Sequence, residues 1–553
     1  MRRVLRLLKF CWPHIRVALL VGAADFMAIS IYAATGTQES KEHLSRTFSA
    51  VDFAVLTIYL IGITIFGTLF KTSQKTVKDY FLGARTTSWL IISLSIVATE
   101  TSTLTLIGVP ALAYSQFANP ESGGSFTYLQ VVFGYIVGRV IVGFLFVPAY
   151  FRGELCTAYE LLDRRFGAKT KRIAASMFLV MRALAEGVRV FAASLVLGAI
   201  LGASLPGVQH LWLWSIAIVG ALTLVYTYEG GISAVIWTDL VQLVIYIGGS
   251  MIAAFEIIRL IPGGWETFIS QAHAAGKLQI FSFSANPTLP FTLWAGIIGG
   301  AVFTLGSHGA DQLIVQRLLA CHNEVDARKA VIFSGFVVFF QFLLVLAIGT
   351  MLFVYHRFDP PREALQTNDS VFPNFIAGHL PRGISGLVVA ALLAAAMSNL
   401  SGSLNSLSST TLVDFYRPLW GKGKSEAELL KLSRWFTAIW GLALIAIAVI
   451  ARGWGSVFTA GLTIASIVYG PLLGSFLLGV LSQRASQSGV ISGMAVSLLC
   501  MIAVKLLTPI AWTWYVVTGA AICVATGYAV SLVRAPEPTE AAVLAVREER
   551  DNA

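Results

Sequence analysis

Residues 97–103 read VATETST, and this polar stretch lies inside an apolar run that covers residues 88–114. Glu100 would place a carboxylate in the middle of a segment of membrane-spanning length, where a charged side chain is costly and usually has a function. Four hydroxyl residues surround it: Thr99, Thr101, Ser102 and Thr103. Residues of this kind bond to the local backbone and loosen a helix. The stretch therefore predicts a break in a membrane helix, with a functional site at the break.

The composition of the whole chain indicates an integral membrane protein. Of its 553 residues, 56% are hydrophobic and 12% are charged, which is about half the charged fraction of a soluble domain. The net charge of +10 does not indicate nucleic-acid binding, because the basic residues lie in short loops between apolar runs. The five cysteines lack metal-ligand spacing, and the sequence contains neither a nucleotide-binding loop nor a nucleophile elbow. We therefore expect no zinc site and no enzyme.

Fourteen segments are long and apolar enough to be membrane helices, since about 20 residues cross the hydrocarbon core. They are residues 13–36, 50–71, 88–115, 125–148, 172–202, 208–227, 236–261, 290–310, 328–356, 384–411, 434–451, 456–481, 488–506 and 512–533. The first follows a basic stretch and resembles a signal peptide or a signal anchor; without a clear cleavage site, we expect an uncleaved helix. The predicted fold class is an all-α membrane protein with about 14 transmembrane helices.

Basic residues predict the orientation of the chain. Lys and Arg are concentrated in the loops after the second, fourth, eighth and tenth segments, and Arg317 is assigned to one of these loops. The loops 116–124, 203–207 and 262–289 hold one basic residue between them, Lys277. Because basic loops stay in the cytoplasm, we expect a multi-pass protein of the cell (inner) membrane with both termini cytoplasmic. The tail of about 20 residues is too short to fold alone, which argues against an attached signalling domain.

A second polar cluster lies within the segment 384–411. Its Ser and Asn residues are Ser398, Asn399, Ser401, Ser403, Asn405, Ser406, Ser408 and Ser409. Small residues of this kind can simply allow close helix packing. Ser398, Ser401 and Asn405, however, recur at helical spacing, so their oxygens lie on one face. Together with carbonyls freed at a helix break, such oxygens can bind Na⁺, which favours a sodium site between this helix and VATETST.

Five blocks of sequence, in a fixed order, resemble the solute:sodium symporters, the family of the sodium/glucose, sodium/proline, sodium/sialic acid and sodium/iodide transporters. The blocks are KDYFLGARTTSWLIISLSIVATETS, YELLDRRFG, YEGGISAVIWTDLVQ, GADQLIVQRLLA and AAAMSNLSGSLNS. The resemblance extends from about residue 50 to about residue 500. It implies a LeuT-type fold, in which two inverted repeats of five helices surround a midplane site and the first helix of each repeat is discontinuous.

The resemblance also implies how the chain is organised. The expected parts are an N-terminal basic segment with a possible extra helix (1–49), a peripheral helix and cytoplasmic loop (50–87), the first repeat (88–261), an extracytoplasmic loop (262–289), the second repeat (290–481), peripheral helices (482–533) and a cytoplasmic tail (534–553). Gly299, Gly300, Gly306 and Gly309 fit a discontinuous first helix in the second repeat.

The main sodium site of the family uses carbonyls of the broken first helix, and a carbonyl and two hydroxyls of the serine-rich helix. The matching positions are Ala98, Thr101, Ala395, Ser398 and Asn399. Asn399 departs from the family pattern, which has Ser or Thr there, and its longer amide would shift the ion.

Some relatives have a second sodium site, to which Asp239, Ser398 and Ser401 correspond. Gly402 stands where these relatives have the last hydroxyl, so one ligand is missing. The alternative interpretation of Asp239 is a carboxylate that pairs with a nearby base.

The resemblance places further polar residues around the substrate cavity: Glu100, Ser102, Thr105, Arg189, His308 and Asp311. Thr105 stands where some relatives have a longer amide that contacts sugar, which argues against a hexose. His308 can also be an ordinary residue of the helix bundle.

Glu100 has three interpretations: it contacts the substrate, it titrates or balances charge, or it pairs with a base on a neighbouring helix, with Arg182 and Arg189 as candidates. Glu186 can pair with either arginine along the helix. The remaining guanidinium would then bind a substrate carboxylate through two hydrogen bonds, and the sialic-acid relatives have an arginine on this helix.

The sequence thus predicts a sodium-coupled secondary active symporter that imports a small polar organic solute by alternating access. Sugar, carboxylate and amino acid all remain open as substrates. One alternative is a proton-coupled transporter of the same fold that uses Glu100 or Asp239. Another is a membrane sensor or binding subunit that does not transport. Besides the substrate and Na⁺, the lipid bilayer is the expected partner, with no nucleic acid and no obligate protein partner.

Overall fold

The computed structural model describes residues 48–70, 74–116, 122–152, 155–204, 210–361, 368–451 and 457–533. The predicted helix 13–36 and the predicted tail 534–553 lie outside these residues. Within the described part, the regular elements are helices, and an isolated bridge between Thr87 and Cys321 is the one β-type pairing.

The helices of this part are α1 (Ala50–Thr68), α2 (Val77–Leu82), α3 (Trp89–Glu100), α4 (Thr103–Tyr114), α5 (Leu129–Phe151), α6 (Glu160–Phe166), α7 (Ala168–Ser204), α8 (Leu211–Leu260), α9 (Gly264–Ala274), α10 (Gly300–Gly309), α11 (Gln312–Leu319), α12 (Glu324–Phe358), α13 (Val371–His379), α14 (Ile384–Thr410), α15 (Arg417–Trp420), α16 (Glu426–Ile450), α17 (Val457–Leu481), α18 (Gln487–Leu507) and α19 (Tyr515–Val533). Two π-helical turns, Ala295–Gly299 and Thr411–Tyr416, directly precede α10 and α15.

The structure confirms an all-helical, multi-pass membrane protein. Within the described ranges, nine helices are long and apolar enough to cross a membrane, and the bent pair of α3 and α4 brings the number to ten. Two predicted segments, 208–227 and 236–261, form one helix, α8, which is interrupted at Gly231 by a φ of 55° and a ψ of −151°. A Cβ at Gly231 would lie 2.5 Å from the carbonyl oxygen of Tyr80, so only glycine fits there. The number of 14 transmembrane helices stays a prediction.

Two helices are interrupted, and the first interruption lies at the break that VATETST predicts. Between α3 and α4 the chain bends by 64°, and Thr101 and Ser102 have extended backbone conformations. The second interruption separates α10 from α11 at Ala310 and Asp311, where the Asp311 carboxylate caps α11 by accepting a hydrogen bond of 2.8 Å from the Leu313 amide. The inverted relationship between the two repeats stays a prediction.

The serine-rich helix α14 lies at the centre of the molecule. Residues 388–410 are all buried, and the helix packs against α1, α7, α8 and α16. In contrast, α1 and α18 expose large apolar side chains such as Ile58 and Leu499, which are 72% and 68% exposed. A helix that is covered on all sides by protein can carry hydroxyls that would be costly against lipid.

Asp52 of α1 holds the beginning of α14. One carboxylate oxygen accepts hydrogen bonds of 2.7 Å from the amides of Gly383 and Gly386, and the other accepts from the amide and hydroxyl of Ser49. A Cβ at Gly386 would lie 2.5 Å from the Asp52 carbonyl oxygen, so the two helices approach as closely as backbone allows. This contact sets the height of the polar residues of α14 within the bundle.

Candidate functional site

A cavity of about 110 Å³ lies where the two interrupted helices meet α14, and α5, α7, α12 and α17 complete its wall. Its lining combines aromatic and aliphatic side chains with a few charged and hydroxyl groups, as is typical of small-molecule sites. Of the predicted substrate contacts, those that line the cavity are Glu100, Ser102, Thr105, Arg189 and His308. Among the predicted sodium positions, Asn399 also reaches the wall.

Glu100 pairs with Arg139 of α5. The Glu100 side chain is 23% exposed toward the cavity, whereas Arg139 is fully buried and also donates to the Ser334 hydroxyl at 3.1 Å. His308 approaches the same carboxylate, with Nε2 at 3.6 Å. Arg182 and Arg189 were the bases predicted from the sequence, and Arg139 was not among them. A signal was present, since Arg139 is the single charged residue in the predicted segment 125–148.

Asp311 lies behind the cavity wall and is fully buried. It forms an ion pair with Arg182 and accepts a hydrogen bond of 2.6 Å from the Tyr469 hydroxyl. Its other oxygen caps α11 through the Leu313 amide. Both oxygens therefore serve the structure, and the geometry does not support the predicted contact between Asp311 and substrate.

Arg189 pairs with Glu186 on the same helix, with 3.3 Å between Nη1 and Oε2. The same oxygen accepts a hydrogen bond of 3.0 Å from the Ser403 hydroxyl. Because Arg182 has Asp311 as its partner, neither arginine is left unpaired, contrary to the prediction. The Arg189 side chain is nevertheless 20% exposed and lines the cavity, so part of its guanidinium faces open space.

Two of the predicted sodium positions, Thr101 and Asn399, are in contact at the first break. The amide nitrogen of Asn399 donates to the carbonyl oxygen of Thr101 at 2.9 Å. Ala98, Ala395 and Ser398 are each fully buried. Thr101 ends α3, so its carbonyl has no partner along a regular helix. Within the described residues, no group of three or more His, Cys, Asp or Glu side chains could hold a metal; the neutral oxygens beside the break suit a monovalent cation.

Asp239 has a basic partner, Arg317 of α11, at 3.0 Å. The same carboxylate accepts hydrogen bonds from the hydroxyls of Ser95, Thr99 and Ser398, at 2.6, 3.1 and 2.6 Å. Arg317 was predicted to lie in a loop, but its side chain is 1% exposed within the bundle. A hydrophilic residue that follows a helix break in sequence cannot be distinguished from a loop residue by composition alone.

Gly402 makes room for this arginine. A Cβ at position 402 would lie 2.8 Å from Nη2 of Arg317. The hydroxyl of Ser401, one residue earlier, donates to the carbonyl of Ser398 in its own helix at 2.9 Å. The predicted second sodium site therefore lacks a ligand at Gly402 and has a guanidinium beside its carboxylate.

Comparison with known proteins identifies relatives. The family model described as sodium:solute symporter family matches residues 80–497. The chain is 29% identical to the sodium-coupled monocarboxylate transporter 2 of Bos taurus, over 81% of the chain and 71% of that protein. It is 27% identical to the sodium/sialic acid symporter SiaT of Proteus mirabilis (strain HI4320), over 88% of the chain and 96% of that protein.

A solved structure has a similar fold. It is the substrate-bound outward-open state of a Na⁺-coupled sialic acid symporter, with a TM-score of 0.79 and 26% identity over 88% of the chain and 98% of that protein.

Proposed function

The chain belongs to the sodium:solute symporter family and is a sodium-coupled solute symporter, and we propose that its substrate is a small organic carboxylate that binds at Arg189. The observation that carries the proposal is the position of this side chain. Its guanidinium is partly exposed to the cavity, and its contact with Glu186 is long at 3.3 Å. A substrate carboxylate can therefore bind the open edge of the guanidinium through two hydrogen bonds.

The charges around the cavity favour an anion that travels with one cation. Three ion pairs each join a group that lines the cavity to a group behind the wall: Glu100–Arg139, Arg182–Asp311 and Arg189–Glu186. Because these charges balance, one Na⁺ and one carboxylate add no net charge to a region where an unbalanced charge is costly. The monocarboxylates and sialic acid that are named for relatives belong to the same chemical class.

Na⁺ would bind where Asn399 now contacts Thr101. The ion would take the Thr101 carbonyl, and the amide of Asn399 would turn to present its oxygen beside the Ser398 hydroxyl. The carbonyls of Ala98 and Ala395 complete the proposed ligand set. Since the neighbours of Thr101, Glu100 and Ser102, line the cavity, an ion at this carbonyl would hold the broken segment in the shape that binds substrate. Ion and substrate would then each favour the binding of the other.

A single sodium ion per cycle fits the surroundings of Asp239. Arg317 neutralises this carboxylate, and three hydroxyls occupy its oxygens. A second Na⁺ would have to displace the guanidinium within the bundle, so Asp239 and Ser401 are not included in the ligand set. Together with a monocarboxylate, one Na⁺ makes transport electroneutral. A membrane potential contributes roughly 2.3 kcal/mol per net charge moved and 100 mV, so it would not drive this transport.

The direction and location are part of the proposal. The basic loops support a protein of the inner membrane with cytoplasmic termini, which takes up ion and substrate from outside and releases them to the cytoplasm by alternating access. The proton-coupled alternative is less favoured, because Glu100 and Asp239, the two carboxylates it would use, both have arginine partners.

The experiment that tests the proposal is a thermal melt of the purified full-length chain against NaCl, with KCl and choline chloride at equal ionic strength. A ligand that binds only the folded state stabilises it by RT ln(1 + [L]/Kd). We expect stabilisation by Na⁺ alone, and we expect Ser398→Ala to abolish it. Ser497→Ala is the matched control, because Ser497 is buried and bonds to the Gly519 carbonyl far from the site.

A second arm adds small carboxylates, sugars and amino acids in saturating NaCl. Carboxylates that raise the melting temperature only in Na⁺ would support the substrate class. Equal responses to Na⁺ and K⁺ would contradict the proposed ion site, and stabilisation by neutral sugars without any by carboxylates would contradict the role of Arg189.

A further inference from the structure

The part of the bundle between the cavity and the basic side of the protein is tightly packed. Beyond the sodium positions, residues 403–410 of α14 are 0% exposed. This end of the helix leads into α15 and the basic residues Arg417, Lys422 and Lys424. In the proposed orientation, the packed stretch lies between the cavity and the cytoplasm.

Two glutamines of α11 connect the elements that surround this stretch. The side-chain oxygen of Gln312 accepts a hydrogen bond of 2.7 Å from the Ala158 amide, and its nitrogen donates to the Cys156 carbonyl at 3.2 Å. One turn later, the side-chain nitrogen of Gln316 donates to the Phe81 carbonyl at 2.7 Å. Both glutamine side chains are almost completely buried. The helix α11 is thereby tied to the loop 155–159 and to α2.

The same glutamines bind the cytoplasmic end of α14. Gln316 donates to the side-chain oxygen of Asn405 at 2.5 Å. The Ser409 hydroxyl lies between the two amides, 3.4 Å from a side-chain atom of each. The Asp414 carboxylate ties α14 to the same loop by accepting a hydrogen bond of 2.8 Å from the Thr157 hydroxyl. Four separate chain segments therefore meet at Gln312 and Gln316.

The chemistry of these contacts is suited to reversible opening. Elsewhere in the bundle, ion pairs such as Glu100–Arg139 hold the helices together, and breaking a buried pair is costly. Hydrogen bonds between neutral amides, hydroxyls and carbonyls each shift an equilibrium by only about 2- to 13-fold. Several such bonds can hold a pathway closed and still release it during a transport cycle.

We propose that Gln312 and Gln316 are positioning residues that hold the cytoplasmic side of the transport pathway closed, and that release of their hydrogen bonds opens the cavity toward the cytoplasm. The proposal rests on the transport function and orientation given above. The position of α11 connects this closure to the site, because Asp311 before it pairs with Arg182 of the cavity wall and Arg317 within it pairs with Asp239. A movement of α11 would therefore reach both the cavity and the neighbourhood of the ion.

Cys156 provides a native reporter of opening. Its carbonyl accepts the hydrogen bond from Gln312, and its thiol lies in the loop 155–159 that the glutamines hold. Burial, with a contribution from Glu160, raises the pKa of this thiol to about 11, so it reacts slowly while the loop is in place. An opened loop would expose the thiol and speed its reaction. The remaining cysteines, replaced by Ala in the background, are Cys11, Cys321, Cys500 and Cys523.

The test is the labelling rate of Cys156 by a membrane-impermeant maleimide in inside-out vesicles that contain the full chain. We expect Gln312→Ala and Gln316→Ala each to raise the rate by at least about 2- to 13-fold, the range for the loss of a single such hydrogen bond. Ser409→Ala, which removes only the shared hydroxyl and is the milder variant, should raise it by about twofold. Right-side-out vesicles should show no labelling for any variant.

Gln130→Ala is the matched control. Gln130 is also a fully buried amide with three hydrogen bonds, to Thr127, Phe291 and Ser282, but it lies by the predicted extracytoplasmic loop. The Gln130→Ala variant should leave the labelling rate of Cys156 unchanged. Unchanged rates in both glutamine variants, or an equal rise in Gln130→Ala, would overturn the proposal.

Failure of the proposed function can be told apart from failure of this inference. The labelling needs neither Na⁺ nor substrate, so a rise in the glutamine variants without any Na⁺-specific melt would contradict sodium coupling alone. Labelling from the opposite face only would contradict the orientation, and with it the assignment of this closure to the cytoplasmic side.

Discussion

The side-chain amide of Asn399 donates to the main-chain carbonyl of Thr101 over 2.9 Å. This bond joins the central helix α14 to the point where α3 ends and the backbone becomes extended. It occupies the carbonyl that the proposed sodium site needs, so the amide must turn when an ion binds.

Substitution of Asn399 is expected to change sodium affinity. Asn399→Ala removes one oxygen ligand and should weaken Na⁺ binding by about tenfold, which corresponds to one polar contact of about 1.4 kcal/mol. Asn399→Ser supplies a shorter hydroxyl and should bind Na⁺ at least as well as the wild type. The Na⁺ dependence of the melting temperature measures both. Unchanged affinity in Asn399→Ala would mean that the amide is not a ligand.

Substitution of Arg189 is expected to separate substrate binding from ion binding. Arg189→Gln removes a charge-assisted contact of about 1.5–3 kcal/mol and should raise the Kd of a carboxylate by about 10- to 150-fold. Arg189→Lys keeps the charge without the planar guanidinium, so its Kd for the carboxylate should lie between those of the wild type and Arg189→Gln. Calorimetric titration of each variant with the carboxylate in saturating NaCl measures these dissociation constants.

Two controls accompany the Arg189 variants. The Na⁺-specific melt should be retained, because Arg189 is not among the proposed ion ligands. The uncharged amide analogue of the same substrate should lose little affinity in Arg189→Gln; an equal loss for acid and amide would exclude an ionic contact.

The ion pair between Glu100 and Arg139 should show a strong coupling energy, and its two single variants should lose different amounts of stability. Glu100→Gln leaves the fully buried Arg139 without a counter-charge and should lower the free energy of unfolding by about 3–5 kcal/mol. Arg139→Gln should cost less, because Glu100 is 23% exposed and can be hydrated from the cavity. The double variant should recover part of the loss, and a double-mutant cycle on unfolding measures the coupling.

A pair outside the cavity serves as the reference for this cycle. Arg328 and Glu324 lie one helical turn apart with partly exposed side chains, and breaking their contact should cost about 0–1 kcal/mol. Equal coupling energies for the two pairs would contradict the buried character of Glu100–Arg139.

Position 402 should tolerate only glycine. Gly402→Ala places a Cβ 2.8 Å from Nη2 of Arg317 and 3.0 Å from a methyl of Leu313, so the Arg317–Asp239 pair must shift, at a cost of about 1–3 kcal/mol. Gly248→Ala is the control, because a Cβ there meets no atom within 4 Å; it should stabilise α8 by about 0.5–1 kcal/mol. Thermal melts of both variants measure these changes in stability. An unchanged melting temperature for Gly402→Ala would show that Arg317 has room to move.

Lys277 gives a pH dependence outside the membrane-spanning helices. Its ammonium donates to the carbonyls of Ala113, Tyr114 and Ser115 at the end of α4. Burial and the charge of Arg357 lower its pKa from the ordinary 10.5 to about 8. Between these values the unfolded chain holds the proton and the folded chain does not, so the stability contributed by this residue rises as pH increases.

The comparison variant for this pH effect is Lys277→Met, which cannot titrate. Melting temperatures between pH 7 and pH 10.5 should rise for the wild type relative to Lys277→Met, since all other titrating groups are shared. Parallel curves would show that the pKa of Lys277 is not lowered.

The break at VATETST could be predicted because its cause is local. In VATETST, hydroxyl side chains compete for backbone hydrogen bonds, and the structure satisfies them with distant partners: Thr99 bonds to Asp239, and Thr103 bonds to the Leu392 carbonyl. The close packing of α14 could also be expected, because small residues such as Ser allow helices to approach one another.

The partners of the charges could not be predicted. Arg182 and Arg189 of α7 were the candidate partners of Glu100, but Arg139 of α5 reaches it. Asp311 was predicted to contact the substrate, but it pairs with Arg182. Arg317 was placed in a loop and lies inside the bundle, 78 positions from its partner Asp239 in the chain. Such pairings depend on how each helix is rotated and how deep it lies relative to its neighbours.

The sequence by itself determined that this protein is a helical membrane protein, where one of its helices breaks at VATETST and which helix carries the neutral oxygens, because hydropathy and hydroxyl clustering act over a few neighbouring residues. Only the tertiary structure decided which arginine remains partly open to the cavity, which carboxylates are already neutralised and which side chains tie the end of α14 to its neighbours. These properties arise between helices that are far apart in the chain, where distances of a few ångströms determine whether two charges meet.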